Sequence, residues 1–306
     1  MKLKTLFSTF LTLCTLVCLP SCKTPSYPFA NAPEPIDPIY ICKENIDIAL
    51  VLGGGGARGM FHVGVLESLE EANIPIDMIV GCSAGSIVGS LYADRPDACK
   101  IRDLLICLKR TDLIDLDFFN CRYGLCHGHE LISFMKRHLQ CERFEDLKIP
   151  FLAVTTDLRT GELLTLGTGP IIPAVQASCC VPFFFRPVRL YGRVLVDGGI
   201  IDPNPVQIAK QYDPKMIIAV DLSEILPRTA PNNLFGIASR CYEISYYRHS
   251  QHCLSNADVI IRPNMEPIGM FDDKHTHKLY EAGKEAGRSA IPQIQELYEK
   301  RVLNNQ

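Results

Sequence analysis

Apolar runs of strand length alternate with longer amphipathic stretches through most of the chain. The runs include "IDIALVL" from Ile46 and "DMIVG" from Asp77, followed by "FLAVTTDL", "LLTLG", "RVLVDG", "MIIAVDL" and "DVIIRP". Such continuous apolar character is typical of strands that are buried on both faces of a sheet. The segments Met60–Ala72 and Ala84–Ala93 have the spacing of helices. This alternation predicts an α/β fold in which helices cover both faces of the sheet.

Residues 1–21 have the layout of a signal peptide. Two lysines precede an apolar stretch from Leu6 to Leu19, and small residues follow it. The stretch contains serine and threonine and is shorter than the roughly 18 uninterrupted apolar residues of a membrane span. Its end, "LPSC", is similar to a bacterial lipoprotein processing box in which Cys22 carries the lipid, with Pro20 as an atypical residue. A plain secretory signal is the alternative.

The remaining residues are predicted to form a linker and one domain. Residues 22–44 are rich in proline and have neither a helical nor a strand period, which is typical of a semi-extended linker. Residues 45–300 contain no internal repeat and no second linker, and are assigned to a single domain. A lipid on Cys22 would hold this domain at a membrane. The expected location is therefore the bacterial cell envelope, with a secreted or periplasmic protein as the alternative.

The composition excludes some classes of function. The chain of 306 residues is 47% hydrophobic and 21% charged, with a formal net charge of −3. A nucleic-acid-binding protein would have a basic patch, so no nucleic acid partner is expected. The 14 cysteines form no C-x-x-C pair, so a zinc site has little support and no cofactor or metal is expected. The oligomeric state is not indicated.

The stretch "LVLGGGGARG", Leu50–Gly59, is the first candidate for chemistry, because consecutive glycines allow a backbone to approach a ligand closely. The spacing Gly54-x-Gly56-x-x-Gly59 satisfies the dinucleotide-binding fingerprint. However, that fingerprint needs an acid after the second strand, and here Asp77 precedes it. A P-loop needs Gly-Lys-Ser or Gly-Lys-Thr, which is absent. In the third alternative, the glycine backbone binds the oxygen of a carbonyl group that a nucleophile attacks.

A second motif follows the next predicted strand and precedes a helix. The pentapeptide Gly81-Cys82-Ser83-Ala84-Gly85 has the G-x-S-x-G pattern of a nucleophile elbow. This tight turn needs nearly bare flanking residues and presents the oxygen of its central serine. The oxyanion that forms in acyl transfer needs backbone N–H donors next to the nucleophile, and the preceding glycine run provides them. The two motifs together favour the carbonyl alternative.

Ser83 also needs a base. None of the later histidines lies in a recognisable motif. The run "VLVDGG" instead places Asp197, followed by Gly198 and Gly199, at the end of an apolar strand, where α/β proteins assemble their sites. Asp157, at the end of "FLAVTTD", is a weaker candidate because no glycine turn presents it.

These three motifs identify the chain as similar to patatin-like phospholipases, and in particular to the bacterial branch of that family. The family's glycine-rich oxyanion turn corresponds to Gly54–Gly59, its elbow to Gly81–Gly85 and its acid turn to Asp197–Gly199. The segments "ASCCVPFFFRPV" and "DVIIRPNMEPIGMFD" extend the resemblance, which covers roughly residues 47–287. It implies a three-layer α/β/α patatin-like fold with a central, mostly parallel sheet.

The resemblance also implies a catalytic dyad of Ser83 and Asp197 without a catalytic histidine. The amides around Gly54, Gly55 and Gly56 would form the oxyanion hole, and Arg58 belongs to the same turn, where we expect it to stabilise the loop rather than contact substrate. The implied activity is hydrolysis of acyl esters of membrane lipids or lysolipids, in the manner of a phospholipase A or lysophospholipase. A catalytically silent lipid-binding protein on the same fold is an alternative, and a dinucleotide-binding protein is a weaker one.

Other residues near these motifs have simpler interpretations. His62 is expected to be a packed or capping histidine. Cys82 should point away from the nucleophile, which makes a thiol mechanism improbable. Cys179 and Cys180 are predicted to be buried. The aromatic stretch Phe183–Phe185 is expected to belong to the core, with an acyl pocket as the alternative.

Overall fold

An eight-stranded mixed sheet forms the centre of the protein. The computed structural model describes residue 30 and residues 45–303, apart from 118, 120–121, 224–228, 265–267 and 270–273. The strands are β1 Ile48–Leu52, β2 Met78–Cys82, β3 Phe151–Asp157, β4 Leu163–Leu166, β5 Val188–Leu190, β6 Arg193–Asp197, β7 Met216–Val220 and β8 Val259–Ile261.

The sheet order is β5-β6-β3-β2-β1-β7-β8, and β4 also pairs with β3. Strands β3, β2, β1, β7 and β8 are parallel to one another, whereas β4 and β6 run antiparallel to β3. Because β1 and β2 are adjacent and parallel, the two glycine motifs that follow them emerge at the same edge of the sheet. That edge carries the carboxyl ends of the parallel strands, where α/β proteins bind ligands.

Alternate residues of a strand point to opposite sides of the sheet. Because both sides carry apolar side chains, helices cover both faces. Leu50 belongs to a large core with Phe61, while its neighbour Val51 belongs to a second core with Val206. The helices are α1 Met60–Glu71, α2 Ala84–Asp94, α3 Ala98–Leu105, α4 His129–His138, α5 Ile171–Ser178, α6 Val206–Lys210, α7 Leu234–Cys253 and α8 Thr276–Tyr298. The predicted α/β/α layering with a mostly parallel sheet is therefore confirmed.

Each apolar run that predicts a strand forms one, and the two predicted helices occur as α1 and α2. The predicted signal peptide, Cys22 and, apart from Ala30, the linker lie outside the described residues. The boundaries of the predicted domain stay a prediction. Among the described residues, no helix combines the length and the apolar character needed to cross a bilayer.

Candidate active site

Ser83 occupies a strained turn between β2 and α2. Its backbone has φ 51° and ψ −119°, and its side chain is buried. A non-glycine residue rarely adopts positive φ, and strain of this kind concentrates at functional sites. Gly85 permits the turn, because a Cβ atom there would lie 2.0 Å from the carbonyl oxygen of Leu52. The structure therefore has the geometry of a nucleophile elbow.

Hydrogen bonds from α5 and α2 hold this turn. The Ser83 N–H donates to Ser178 Oγ over 3.0 Å, and the Ser83 carbonyl accepts from Ser86 Oγ at 2.7 Å and from Cys179 Sγ at 3.3 Å. No motif in the sequence points to this role of Ser178, which lies in the family-like "ASCC" segment. As predicted, Cys179 and Cys180 are buried.

Strand register brings Asp197 to the same level as Ser83. In the sheet, β3 lies between β2 and β6, and Cys82 pairs with Val154 while Asp197 pairs with Thr155. Ser83 follows Cys82, so it reaches the level of Thr155 from one side of β3, and Asp197 reaches that level from the other. Because β6 is antiparallel to β3 and pairs only with its last three residues, Thr155–Asp157, the final residue of β6 stays near the carboxyl end of β3.

The carboxyl group of Asp197 is buried, and this burial raises its pKa from 3.8 to about 6. Three donors act in the opposite direction: the Ser83 hydroxyl, the Gly199 N–H at 2.7 Å from Oδ1, and the Cys82 thiol at 3.8 Å from the same oxygen. Oδ2 has no hydrogen-bond partner among the described residues. The Ser83 hydroxyl thus lies close enough to the carboxyl group to lower its pKa without a hydrogen bond to Oδ2, and such contacts often tighten only when substrate binds.

Backbone hydrogen bonds anchor the glycine turn after β1, so only some of its N–H groups remain available to a ligand. The N–H of Gly53 donates to Val220 and that of Gly54 to Pro203, each over 3.0 Å. The Gly54 N–H, which we expected to be an oxyanion donor, is thus already bonded to a backbone carbonyl, and its role in the oxyanion hole stays a prediction. Within the described chain, the N–H groups of Gly55 and Gly56 donate to no carbonyl of another segment.

Arg58 and His62 fix the shape of this turn. Arg58 Nε donates to the carbonyl oxygen of Gly55 over 2.9 Å, which is the contact of a residue that stabilises the loop. His62 Nε2 donates to the carbonyl oxygen of Gly53 over 2.7 Å. Burial lowers the pKa of His62 to about 4, so its imidazole is neutral near pH ~7 and bonded to the backbone. His62 is a packed histidine, as predicted.

A buried polar network supports the turn from the side of β7. Asn204 Nδ2 donates to Asp221 Oδ1 at 2.9 Å and to Ser250 Oγ at 2.7 Å, and Arg262 Nε donates to the other oxygen of Asp221 at 2.8 Å. Asn204 also fills the space beside Gly53, where a Cβ atom would lie 2.0 Å from Asn204 Oδ1. None of these residues belongs to a short motif, so the sequence did not reveal them.

An apolar cavity of about 180 Å³ opens beside Ser83. Its polar lining consists of few groups, among them Lys109, and the remaining walls are mostly aliphatic. Phe185 lines this cavity, whereas Phe183 is 65% exposed, so the expectation that the whole aromatic stretch belongs to the core is wrong. The larger apolar lining residues are Met60, Ile87, Val88, Leu105, Leu108, Leu113, Ile114, Leu131, Val181 and Phe185.

The remaining candidates from the sequence lie in other interactions. Asp157 pairs with Arg193 at 3.2 Å and accepts from the Arg159 N–H at 2.9 Å. Asp77 accepts the N–H groups of Asp47 and Ile48, at the start of β2 rather than at the end that carries Ser83. In the described ranges, no interaction of the Asp197 side chain involves a histidine, and no three His, Cys, Asp or Glu residues are grouped in a way that could hold a metal.

Comparison with known proteins gives the same family as the three motifs. A sequence model described as patatin-like phospholipase matches residues 50–210, which include Ser83 and Asp197. Patatin-like phospholipase domain-containing protein 6 of Mus musculus is 35% identical over 181 residues, which are 57% of this chain and 13% of that protein. Lysophospholipase NTE1 of Cryptococcus neoformans is 36% identical over 190 residues, 58% of this chain and 11% of the relative.

A bacterial relative and a solved structure complete the comparison. An NTE family protein of Mycobacterium bovis is 34% identical over 180 residues, 58% of this chain and 49% of the relative. The crystal structure of VipD from Legionella pneumophila has a similar fold, with a TM-score of 0.54 and 15% identity over 94% of this chain and 73% of that one. The chain thus spans half or less of the length of these sequence relatives. Its motifs, its fold and the matched region together establish that it belongs to the patatin-like phospholipase family.

Proposed function

We propose that this protein is a serine lipid acyl hydrolase of the phospholipase A or lysophospholipase type, with Ser83 as nucleophile and Asp197 as its base. One observation carries the proposal: a serine in a strained elbow interacts with a buried carboxylate and opens onto an apolar cavity. The matched relative named lysophospholipase supports the lipid substrate class.

The reaction has two steps. In the first, Ser83 Oγ attacks the ester carbonyl carbon while its proton passes to Asp197, and the oxyanion is held by the N–H groups of Gly55 and Gly56. Collapse of this intermediate breaks the ester bond, and the leaving alcohol takes the proton from Asp197. In the second step, water gives a proton to Asp197 and attacks the acyl-enzyme. The fatty acid then leaves, and the proton returns to Ser83.

The apolar lining of the cavity favours an acyl chain as the part of the substrate that binds next to Ser83. Aliphatic side chains of α2, α3 and α4 line it, and an alkyl chain buried there would gain about 0.8 kcal/mol for each CH₂ group removed from water. The turn of Gly55 and Gly56 then lies at the carbonyl end of the chain. We therefore propose long-chain esters as better substrates than acetyl esters.

A fluorophosphonate probe tests the proposal. The probe phosphonylates activated serines, so tryptic mapping by mass spectrometry should find the label on Ser83 in the wild type, and Ser83→Ala should remove it. Ser90→Ala is the matched control, since Ser90 is a buried serine of α2, the helix that follows the elbow. If the protein only bound lipid, or bound a dinucleotide, Ser83 would remain unlabelled while the folded protein bound its ligand.

We also propose that Cys22 carries a lipid that anchors the domain to the cell envelope of a bacterium. The support is the signal-like leader and the "LPSC" sequence. Mass spectrometry of the mature protein from a bacterial membrane fraction should find a diacylated N-terminal Cys22, and Cys22→Ser should abolish the modification. An unmodified N-terminus downstream of Cys22 would contradict the anchor and favour a secreted or periplasmic protein.

A further inference from the structure

Tyr246 lies between the two glycine turns of the site. It belongs to α7 and is only 5% exposed. A Cβ atom on Gly54 would lie 2.2 Å from the Tyr246 hydroxyl oxygen, and one on Gly199 would lie 2.5 Å from Tyr246 Cε2. The phenol therefore occupies the space that both glycines leave open. This contact gives a physical reason for glycine at both positions and places Tyr246 against the oxyanion turn and the acid turn at once.

The Tyr246 hydroxyl is buried and has no hydrogen-bond partner among the described residues. A buried hydroxyl that lacks a protein partner is unfavourable, and it needs an explanation such as a bound water or a role toward substrate. Burial raises the pKa of Tyr246 well above its ordinary value, with Cys82 and Asp197 contributing in the same direction. The phenol thus keeps its proton and presents an unused O–H donor.

The position of this donor indicates which oxygen it serves. The point where a Gly54 Cβ would sit is 2.2 Å from the Tyr246 oxygen and 3.2 Å from Ser83 Cβ, so the hydroxyl lies on the side of Gly54 that faces the nucleophile. The N–H of Gly54 itself is bonded to the carbonyl oxygen of Pro203. A side-chain donor therefore lies beside the glycine whose own N–H is already engaged.

We propose that the Tyr246 hydroxyl donates a hydrogen bond to the carbonyl oxygen of the ester as Ser83 attacks it, so that Tyr246 acts as a catalytic residue beside the Gly55 and Gly56 amides. This inference rests on the proposed hydrolase function. No covalent bond forms at Tyr246, and the phenol keeps its proton throughout, so the proton balance between Ser83, Asp197 and the leaving alcohol is unchanged.

Tyr246→Phe tests the proposal because it removes the hydroxyl and keeps the ring that packs against Gly199. Loss of one oxyanion donor should lower kcat by about 10²-fold with little change in KM. The melting temperature should stay equal or rise, since the deleted hydroxyl has no partner. The acid limb of the pH-rate profile should not move, because the Asp197 carboxylate keeps its own donors.

Tyr280→Phe is the matched control. The Tyr280 hydroxyl donates to Glu67 Oε2 over 2.6 Å on the α1–α8 side of the protein, away from Ser83. This variant should have a lower melting temperature and near wild-type turnover, the opposite of the result expected for Tyr246→Phe. Fluorophosphonate labelling of the wild type at Ser83 is measured in parallel.

Four results would overturn the inference. Tyr246→Phe could turn over ester at a near wild-type rate, could lose activity together with stability, or could shift the acid limb, which would mean that the hydroxyl serves Asp197 instead. In each of these cases the wild type still labels at Ser83, so the proposed hydrolase function stands. A wild type that does not label at Ser83 overturns both.

Discussion

The backbone N–H of Gly199 donates to Oδ1 of Asp197 over 2.7 Å, which fixes the carboxylate by the turn that immediately follows it. The same carboxylate is shielded from water, so its charged form lacks hydration and its pKa rises to about 6. A carboxylate of this kind is a better proton acceptor than an ordinary surface aspartate, because the optimal pKa of a general base lies near the working pH.

The first prediction concerns the pH dependence of activity. Asp197 accepts a proton only when it is ionised, so kcat/KM should rise with pH and level off above an apparent pKa near 6. Initial rates of hydrolysis of a soluble long-chain ester, measured over a pH series in which the enzyme stays folded, give this value. An acid limb at the ordinary value of 3.8 would contradict a buried base.

The second prediction is that Asp197→Asn stabilises the fold. Since the folded-state pKa of Asp197 lies above its ordinary value, the folded state binds the Asp197 proton more tightly than the unfolded state does. The stabilisation from this proton is fully present below pH 3.8 and is lost as the pH rises through about 6. Ionised Asp197 then costs up to about 3 kcal/mol at alkaline pH. Urea unfolding should find the variant more stable than the wild type at alkaline pH, by a margin that shrinks on acidification. Equal stabilities across that pH range would refute the prediction.

A third prediction tests the support of the elbow. Ser178→Ala removes the acceptor of the Ser83 N–H and leaves that buried donor unpaired, which should cost about 1–3 kcal/mol of unfolding free energy. The turn that presents the nucleophile should also loosen, so kcat should fall. Ser90→Ala deletes a buried hydroxyl whose one hydrogen bond within the described chain is to the Ile87 carbonyl of its own helix, and it should have a smaller effect on both. Similar kinetics for the two variants would argue against a role for Ser178 in positioning Ser83.

A fourth prediction separates two motif glycines by the space around them. A Cβ atom on Gly85 would lie 2.0 Å from the Leu52 carbonyl oxygen, so Gly85→Ala should disrupt the elbow and abolish both stable folding and activity. Gly59 has helical backbone angles, and a Cβ atom there would meet Ala84 at 3.5 Å, an ordinary contact. Gly59→Ala should therefore fold normally and keep most of its activity. Circular dichroism and ester turnover decide between this view and one in which every motif glycine is required.

The sequence predicted the fold well because its signals are local. The runs of β1, β2, β3, β6 and β7 are apolar on both faces, and this pattern depends only on burial within a sheet covered by helices. The elbow could also be predicted from the sequence, since a turn as tight as that at Ser83 restricts its neighbours to small residues. The pairing of Ser83 with Asp197 is a prediction from the family motifs, and the register across β3 brings the two residues to the same level of the sheet.

The sequence does not reveal contacts between segments that lie far apart in the chain. The bond that takes the Gly54 N–H comes from Pro203, and the acceptor for the Ser83 N–H comes from Ser178. Tyr246 reaches the site from a long helix with no recognisable motif. Such residues are ordinary in type and spacing, and only the packing of α5, α7 and the turn after β6 reveals their place.

A double-mutant cycle on Ser83 and Asp197 decides whether the two residues act as one catalytic unit. If the two form one catalytic unit, Ser83→Ala and Asp197→Asn should each lower kcat for ester hydrolysis by about 10³-fold or more, and the double variant should be no worse than either, because effects within a unit are strongly non-additive. All three proteins should keep the circular dichroism spectrum of the wild type. Near wild-type turnover by Asp197→Asn, or losses that multiply in the double variant, would contradict the dyad.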